Sequence, residues 1–539
     1  MDRHEVGIIL KYTDSLSKRP RPLSISTVNS SSTEEFMNAF DVESFNTAVD
    51  IAAGKLSELL ENDEIQGVVL ERPNTLLAAA RALMVGTKDS FDAKRFAEIL
   101  DLYIRTGIKV NSRGYMARQF SSVVPVSAVF DMVSAMAPQP ASYYEAGQLA
   151  NVADKLIAEE FGRLLGWELG RFDMVTTSGA SLANMTAVLV ARNRKLGDSW
   201  TDGVRATGRG RGRPAIAFGA ESHYSVSRLA GILGLGVDQV VRMPLNDRRR
   251  IDIDGAVAAL DEAKARGLDV FCIVGAAGTT SVGAIDPLEE LAAEARKRDA
   301  WFHVDAAHNG ALLVSDRLRP RLKGLELADS FCLDAHKTLF VPALCTLLFY
   351  RDPEAASAAF PEKHSYVFDP VEDEMSRFQS GIKNFECTKR PAILNLWLVW
   401  ALFGRRFFEQ KLDYLVDLTR QAHDHLAAQP DFEVLHQPES NILCFVHRPA
   451  GLPDSQLGTL QLALRDRIRA EGRYFVSKVE LDGSTVLRIV MMNHQIGLFD
   501  IDALINEIRR HAREIRRDWV GESTRNDNKP HIWTVEKTC

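Results

Sequence analysis

Over residues 111–385, short apolar runs alternate with amphipathic stretches, a pattern that predicts a parallel sheet with crossover helices. The runs at 172–177, 215–218, 270–274, 301–304, 330–333 and 345–350 predict its strands. Residues 182–192 have helical composition and end in basic side chains, which suit a helix C-terminus. Asp286-Pro287 predicts the cap and opening of a helix over 288–298. Residues 1–110 are mostly helical in pattern, with a polar Ser/Thr loop at 24–33. After 386 a helix-rich link leads to a smaller unit ending at 519, with strands at 432–435, 442–446, 474–478 and 486–491 and helices near 455–470 and 499–516. Residues 520–539 form a loose polar tail. The expectation is an α/β protein: a large, mostly parallel domain plus a smaller C-terminal α/β domain.

Composition narrows the class. At 539 residues and 46% hydrophobic, the chain can bury a substantial core in two or three domains. A net charge of -7 argues against a nucleic-acid partner. The Arg/Gly-rich stretch 205–214 and Arg248-Arg249-Arg250 read as solvated loops, the latter before a helix cap at Asp252 or Asp254. The six cysteines show no metal spacing or CxxC pair; Cys272, Cys332, Cys345 and Cys444 lie in apolar runs and read as buried, reduced thiols. The N-terminus lacks a signal-peptide pattern, and the most apolar stretch, 392–403, is too short to span a bilayer. A cytoplasmic enzyme with no membrane association is expected.

Chemistry gathers at the ends of the predicted strands, where open α/β sheets place ligands. Asp305 closes one apolar run, and Lys337 follows another in Asp334-Ala335-His336-Lys337. An amine and a carboxylate are what pyridoxal 5'-phosphate (PLP) takes from a protein: one holds its aldehyde as a Schiff base, the other keeps its ring nitrogen protonated. Alone, Asp305 reads equally as a helix cap or turn residue, and Lys337 reads as a solvated surface lysine. Ser178-Gly179-Ala180-Ser181, between a strand and a helix, can offer N–H groups to an anion or be an ordinary capped turn. Glu221-Ser222-His223-Tyr224-Ser225 places a His able to stack on a flat ring. Ala277-Gly278-Thr279-Thr280 follows the 270–274 run, and Gly283-Ala284 and Asp286-Pro287 come after it.

Together, in this order and over about residues 110–510, these segments resemble the group II PLP-dependent amino acid decarboxylases, a family of PLP fold type I. Ser222-His223-Tyr224-Ser225, Ala277-Gly278-Thr279-Thr280 and Tyr144-Glu145 look closest to its glutamate and cysteine sulfinate branch. The resemblance implies Lys337 as the Schiff-base lysine, Asp305 as partner of the pyridine nitrogen and His223 as the residue on the ring. It also implies cofactor contacts from Ala180, Ser181, Thr280, Ser330 and His336. Asp334 stands where many relatives have Asn, which puts a phosphate contact from that position in doubt. On the substrate side, Gln119 lies in a segment similar to Asn-Gln-Leu-Ser, with Arg118 replacing the Asn. Arg488 resembles an arginine used on a substrate carboxylate, through two hydrogen bonds; a solvent-side strand arginine is the equal alternative. Tyr366, on a stretch where the family has a mobile loop, is either the proton donor to the alpha carbon or a packing aromatic. The implied reaction is alpha-decarboxylation of an acidic amino acid by a homodimer, with residues 126–136 apolar enough for its interface. Alternatives are an aromatic or diamino acid substrate, or a related aldehyde synthase, lyase or aminotransferase.

Overall fold

The computed structural model describes residues 40–61, 66–84, 91–204, 212–360, 378–386 and 388–525. Tyr366, Cys387, Cys539, the 24–33 stretch and residues 205–211 lie outside them. The chain divides into two compact units. The first contains α1 (Val42–Glu61), α2 (Pro73–Met84) and α3 (Ala93–Arg105). Asp92 starts α3 by accepting the Arg95 N–H at 3.1 Å, an N-cap bond. None of the three helices contains a buried residue.

The second unit begins with a two-residue ribbon, β1 (Val68–Val69) against β2 (Gly107–Ile108). Then come α4 (Pro125–Met136), α5 (Gln148–Leu165), β3 (Asp173–Thr177), α6 (Ala180–Lys195), β4 (Arg213–Gly219), α7 (Tyr224–Ile232) and β5 (Val240–Met243). After these lie α8 (Ile253–Ala265), β6 (Leu268–Ala276), α9 (Leu288–Lys297), β7 (Trp301–Asp305), β8 (Ser330–Asp334), β9 (Thr346–Tyr350) and α10 (Ile393–Ala427). Among the described residues, seven strands form one sheet in the order β3-β9-β8-β7-β6-β4-β5. β9 runs antiparallel to both neighbours; the others are mutually parallel. Continuous apolar strands such as β6 and β9 are buried on both faces, as a helix-covered parallel sheet requires. Alternate residues feed two cores. Phe302, Val304, Phe331, Leu333 and Phe349 pack with α5, α8, α9 and α10, while Trp301, Cys332, Leu348 and Tyr350 pack with α6 and α7.

The C-terminal part contains β10 (Phe432–Val434), β11 (Ile442–His447), α11 (Asp454–Glu471), β12 (Ser477–Leu481), β13 (Ser484–Val490) and α12 (Leu498–Arg525). Its sheet, β10-β11-β13-β12, is antiparallel throughout. β12 and β13 are joined by a two-residue hairpin, Asp482-Gly483, with both residues at positive φ (50° and 76°), the geometry that Asp-Gly favours. This turn fixes the register and starts β12 at Ser477, not 474.

Two sequence expectations change. Asp286 does not cap α9; its carboxylate is buried and accepts the N–H groups of Ile251 (2.9 Å) and Ala276 (2.7 Å), tying the end of β6 to the loop before α8. Arg249 and Arg250 are not merely solvated: they pair with Glu221, Asp482 and Glu439. Asp252 is the cap of α8, accepting from Gly255 N–H at 2.9 Å. Cys272, Cys332, Cys345 and Cys444 are buried free thiols. Among the described residues, no helix is long and apolar enough to cross a membrane.

Candidate active site

Strand polarity assembles the site. Because β9 is reversed, β3 runs parallel to β8, β7, β6 and β4, and the carboxyl ends of all five lie on one edge. That edge carries Ser178–Ser181 after β3, Glu221–His223 after β4, Ala277–Thr280 after β6, Asp305 on β7 and Asp334–Lys337 after β8. Gly179, at φ 104°, makes the sharp entry to α6, a conformation costly for residues with a Cβ. No side chain caps α6, so its positive end is open beside half-buried Ala180 and exposed Ser181.

Beneath the edge lies a one-way hydrogen-bond chain that ends on Asp305. Trp301 Nε1–H, which can only donate, bonds Ser330 Oγ at 2.8 Å. Asn184 presents its Oδ1 to His303 Nε2 (2.9 Å), so the proton of neutral His303 sits on Nε2, and its Nδ1 accepts from the Ser330 hydroxyl (2.8 Å). Asn184 Nδ2 donates to Asp305 Oδ2 at 2.9 Å. The second N–H of Asn184 meets Ser225 Oγ at 3.4 Å, and Cys332 Sγ approaches its Oδ1 at 3.2 Å, so all four of its bonding positions are used. Ser225 continues to His223: its Oγ lies 2.8 Å and its N–H 3.3 Å from Nδ1. The buried amide thus connects Asp305 with His223. Burial holds His303 neutral, with its pKa pulled down to about 4, and also lowers that of His223.

Lys337 Nζ lies 2.8 Å from Asp334 Oδ2, with 21% of its side chain exposed. His336 is buried, its Nδ1 3.0 Å from Cys345 O, and Ser121 Oγ reaches His336 O at 3.4 Å. Thr280 is exposed on its loop. Arg488, on β13, is 6% exposed; its Nε donates to Ser281 O (3.0 Å), and its Nη1 to Ala117 O (3.2 Å) and Ser477 Oγ (3.1 Å). Half-buried Gln119 therefore sits in a segment pinned to Arg488 at Ala117 and to His336 at Ser121. Arg118 is exposed.

Two expectations do not fit this geometry. Ser330 is at the start of β8, remote in register from the carboxyl edge, and its hydroxyl serves His303 and Trp301 rather than a cofactor group. Arg488 cannot present a two-pronged fork, since Nε and Nη1 are committed; only Nη2 is without a partner.

Residues 95–448 match the family model described as the pyridoxal-dependent decarboxylase conserved domain, about two thirds of the chain. The chain belongs to this decarboxylase family. It is similar to an L-2,4-diaminobutyrate decarboxylase of Acinetobacter baumannii, 24% identical over 490 residues (89% of this chain, 95% of that one). It is also similar to human cysteine sulfinic acid decarboxylase, 27% identical over 434 residues (78% and 86%). The crystal structure of mouse CSAD has the same fold, with a TM-score of 0.80 and 24% identity over 87% of this chain and 98% of that one. As a family member the chain is a PLP-dependent amino acid decarboxylase, and its residues fit that cofactor. The edge offers a lysine amine, a helix start open to a phosphate, and a carboxylate supplied with donors by Asn184 and the Ala307 N–H (3.2 Å).

Sequence reasoning assigned no role in the site to Asn184, His303, Ser225 or Cys332. The available signal was an amide on the otherwise apolar buried face of α6, among Ala183, Ala187, Val188 and Ala191. The chain also has a pH signature. His303 titrates near 4 folded and near 6.5 unfolded, so the unfolded protein binds more protons between those values. Stability from this group is complete above pH 6.5 and falls as pH drops toward 4, by a few kcal/mol at roughly 1.4 per unit. Urea unfolding midpoints should therefore decline across that window, and less steeply in His303→Gln; equal slopes would remove His303 as the cause.

Proposed function

We propose that the protein decarboxylates an acidic amino acid at its alpha carbon. Lys337 would hold the PLP aldehyde, Asp305 would partner the ring nitrogen, and His223 would stack on the ring. Ala180, Ser181 and His336 serve the phosphate side, with Thr280 as a cofactor-side hydroxyl. PLP supplies the conjugated ring that takes up the electrons of the broken bond. The protein's part would be orientation: His223, fixed by Ser225, and a held substrate side chain would set the bond to the carboxyl carbon perpendicular to the ring. Tyr366 is the proposed proton donor to the alpha carbon.

Arg488 carries the substrate class. It is a buried guanidinium with no carboxylate partner among the described residues and with Nη2 unbonded, and buried charges ordinarily have partners. Burial lowers its pKa to about 10, with Arg118 adding to the effect, so it stays charged at neutral pH. A substrate carboxylate would supply the missing charge, with Gln119 beside it. A diamino acid is the second candidate, supported by the coverage of the Acinetobacter relative. Its side-chain ammonium would want a free carboxylate, whereas Glu221, next to Ser281, is already paired with Arg249.

Borohydride reduction of the PLP-loaded protein followed by peptide mass spectrometry should place the adduct on Lys337; an adduct on another lysine removes that assignment. A panel of amino acids scored for carbon dioxide should favour glutamate, aspartate or cysteine sulfinate. In Arg488→Gln, loss of one charged hydrogen bond, about 1.5–3 kcal/mol, should raise KM for the acidic substrate about tenfold to a hundredfold. Because Arg488 also holds Ala117 and Ser281, purely structural damage would lower activity on every substrate alike. Preference for a diamino or aromatic acid by the wild type would reject the acidic assignment and keep the family.

We also propose a homodimer. The first unit has three helices without one buried residue, and α4 exposes Val129, Met132, Val133 and Met136, more apolar surface than a monomer usually leaves in water. Light scattering should give about twice the chain mass of 59.9 kDa, and an active monomer would contradict it.

A further inference from the structure

The residue that ends β8 carries a charge for which decarboxylation chemistry has no evident use. Asp334 is 3% exposed. Its Oδ1 accepts the Thr346 hydroxyl from the facing strand, and its Oδ2 lies 2.8 Å from Lys337 Nζ and 3.8 Å from His336 Nε2. The carboxylate is thus turned to the lysine and clamped there from behind. We propose that Asp334 is a positioning residue for cofactor loading: it holds Lys337 in the cofactor-free protein as an ion pair that must open before the lysine can attack the PLP aldehyde. This rests on Lys337 being the attachment residue.

The step itself explains the conflict. The lysine nitrogen forms a double bond to the aldehyde carbon, and the aldehyde oxygen leaves as water with the two amine hydrogens. Only the neutral amine has the lone pair for this, so the ammonium first sheds a proton to solvent. The charged and titratable groups around Lys337 are Asp334 on its own turn, Asp305 on β7, Cys332 on β8, and His308 and His223 on the neighbouring connections. Burial favours the neutral amine, but Asp334, with Asp305 behind it, outweighs burial and keeps the lysine charged beyond the usual lysine range. An Asn in the same place would keep an oxygen for Thr346 and lose the charge, leaving burial to favour the amine.

Full-length protein stripped of cofactor tests this by two measurements across pH. One is the rate at which added PLP forms its protein-linked absorption band. The other is acetylation of Lys337 by acetic anhydride, read by peptide mass spectrometry against surface lysines. In the wild type both should climb about tenfold per pH unit well past neutrality. In Asp334→Asn both profiles should level off at a pH lower by about one to three units, with loading at neutral pH at least about tenfold faster. Asp334→Ser provides the same comparison should the Asn variant fold poorly. Unchanged levelling points would overturn the proposal. So would a uniform acceleration at every pH, which would mean that Asp334 only repels the cofactor phosphate. If PLP attaches elsewhere while acetylation of Lys337 still shifts, the ion pair stands, whereas its role in loading and the attachment assignment both fail.

Discussion

A carboxylate at the end of a buried strand has to be given donors by its surroundings, and here a single file of them is aimed at Asp305. The direction follows from the carboxylate end. An ionised carboxylate can only accept, so Asn184 donates to it and accepts from His303, whose other nitrogen accepts from Ser330, and Trp301, which can only donate, closes the far end. His303 stands opposite Ser330 in the ladder between β7 and β8, so the sheet register itself sets their contact. Asn184 brings α6 into the chain, and the helix whose start is open to phosphate thereby also fixes the ring-nitrogen partner. Ladder, helix and site are one hydrogen-bonded assembly, in which each bond polarises the next.

Much of this was legible beforehand. Apolar runs located six of the seven strands of the large sheet, missing the short edge strand β5 (Val240–Met243), and the residues at their ends pointed to Asp305, Lys337, His223 and the Ala180-Ser181 turn. What escaped was the layer behind them. Ser330 reads as a site residue when its neighbours are known only in sequence, but strand direction carries it to the far end of β8. Arg488 reads as a free fork because its competitors, the carbonyls of Ala117 and Ser281, come from segments distant in sequence. The antiparallel small sheet was within reach, since Asp482-Gly483 between apolar runs is a strong hairpin signal. Tyr366 falls outside the described residues.

Arg488 also joins functions that the sequence keeps apart. One guanidinium holds the segment before Gln119, the loop after Thr280 and Ser477 on β12. The surfaces proposed for substrate and for cofactor are therefore braced by the same side chain, and a change in one is felt by the other.

The reversal of β9 has a further meaning. In an all-parallel sheet the segment after β8 would travel through a long crossover, free to vary in length. Here it turns back, and Asp334 stands opposite Thr346 as the last rung of an antiparallel ladder. The lysine turn is thus a closed loop stapled at both ends, with Ala335 N–H bonded back to Cys345 O at 2.9 Å. Such a loop tolerates substitution more readily than insertion or deletion, because one extra residue must bulge into the site or slip the register of a buried strand. Sequence drift around Lys337 is therefore channelled into changes of side chain at constant length, the kind of change that exchanges an amide for a carboxylate at position 334.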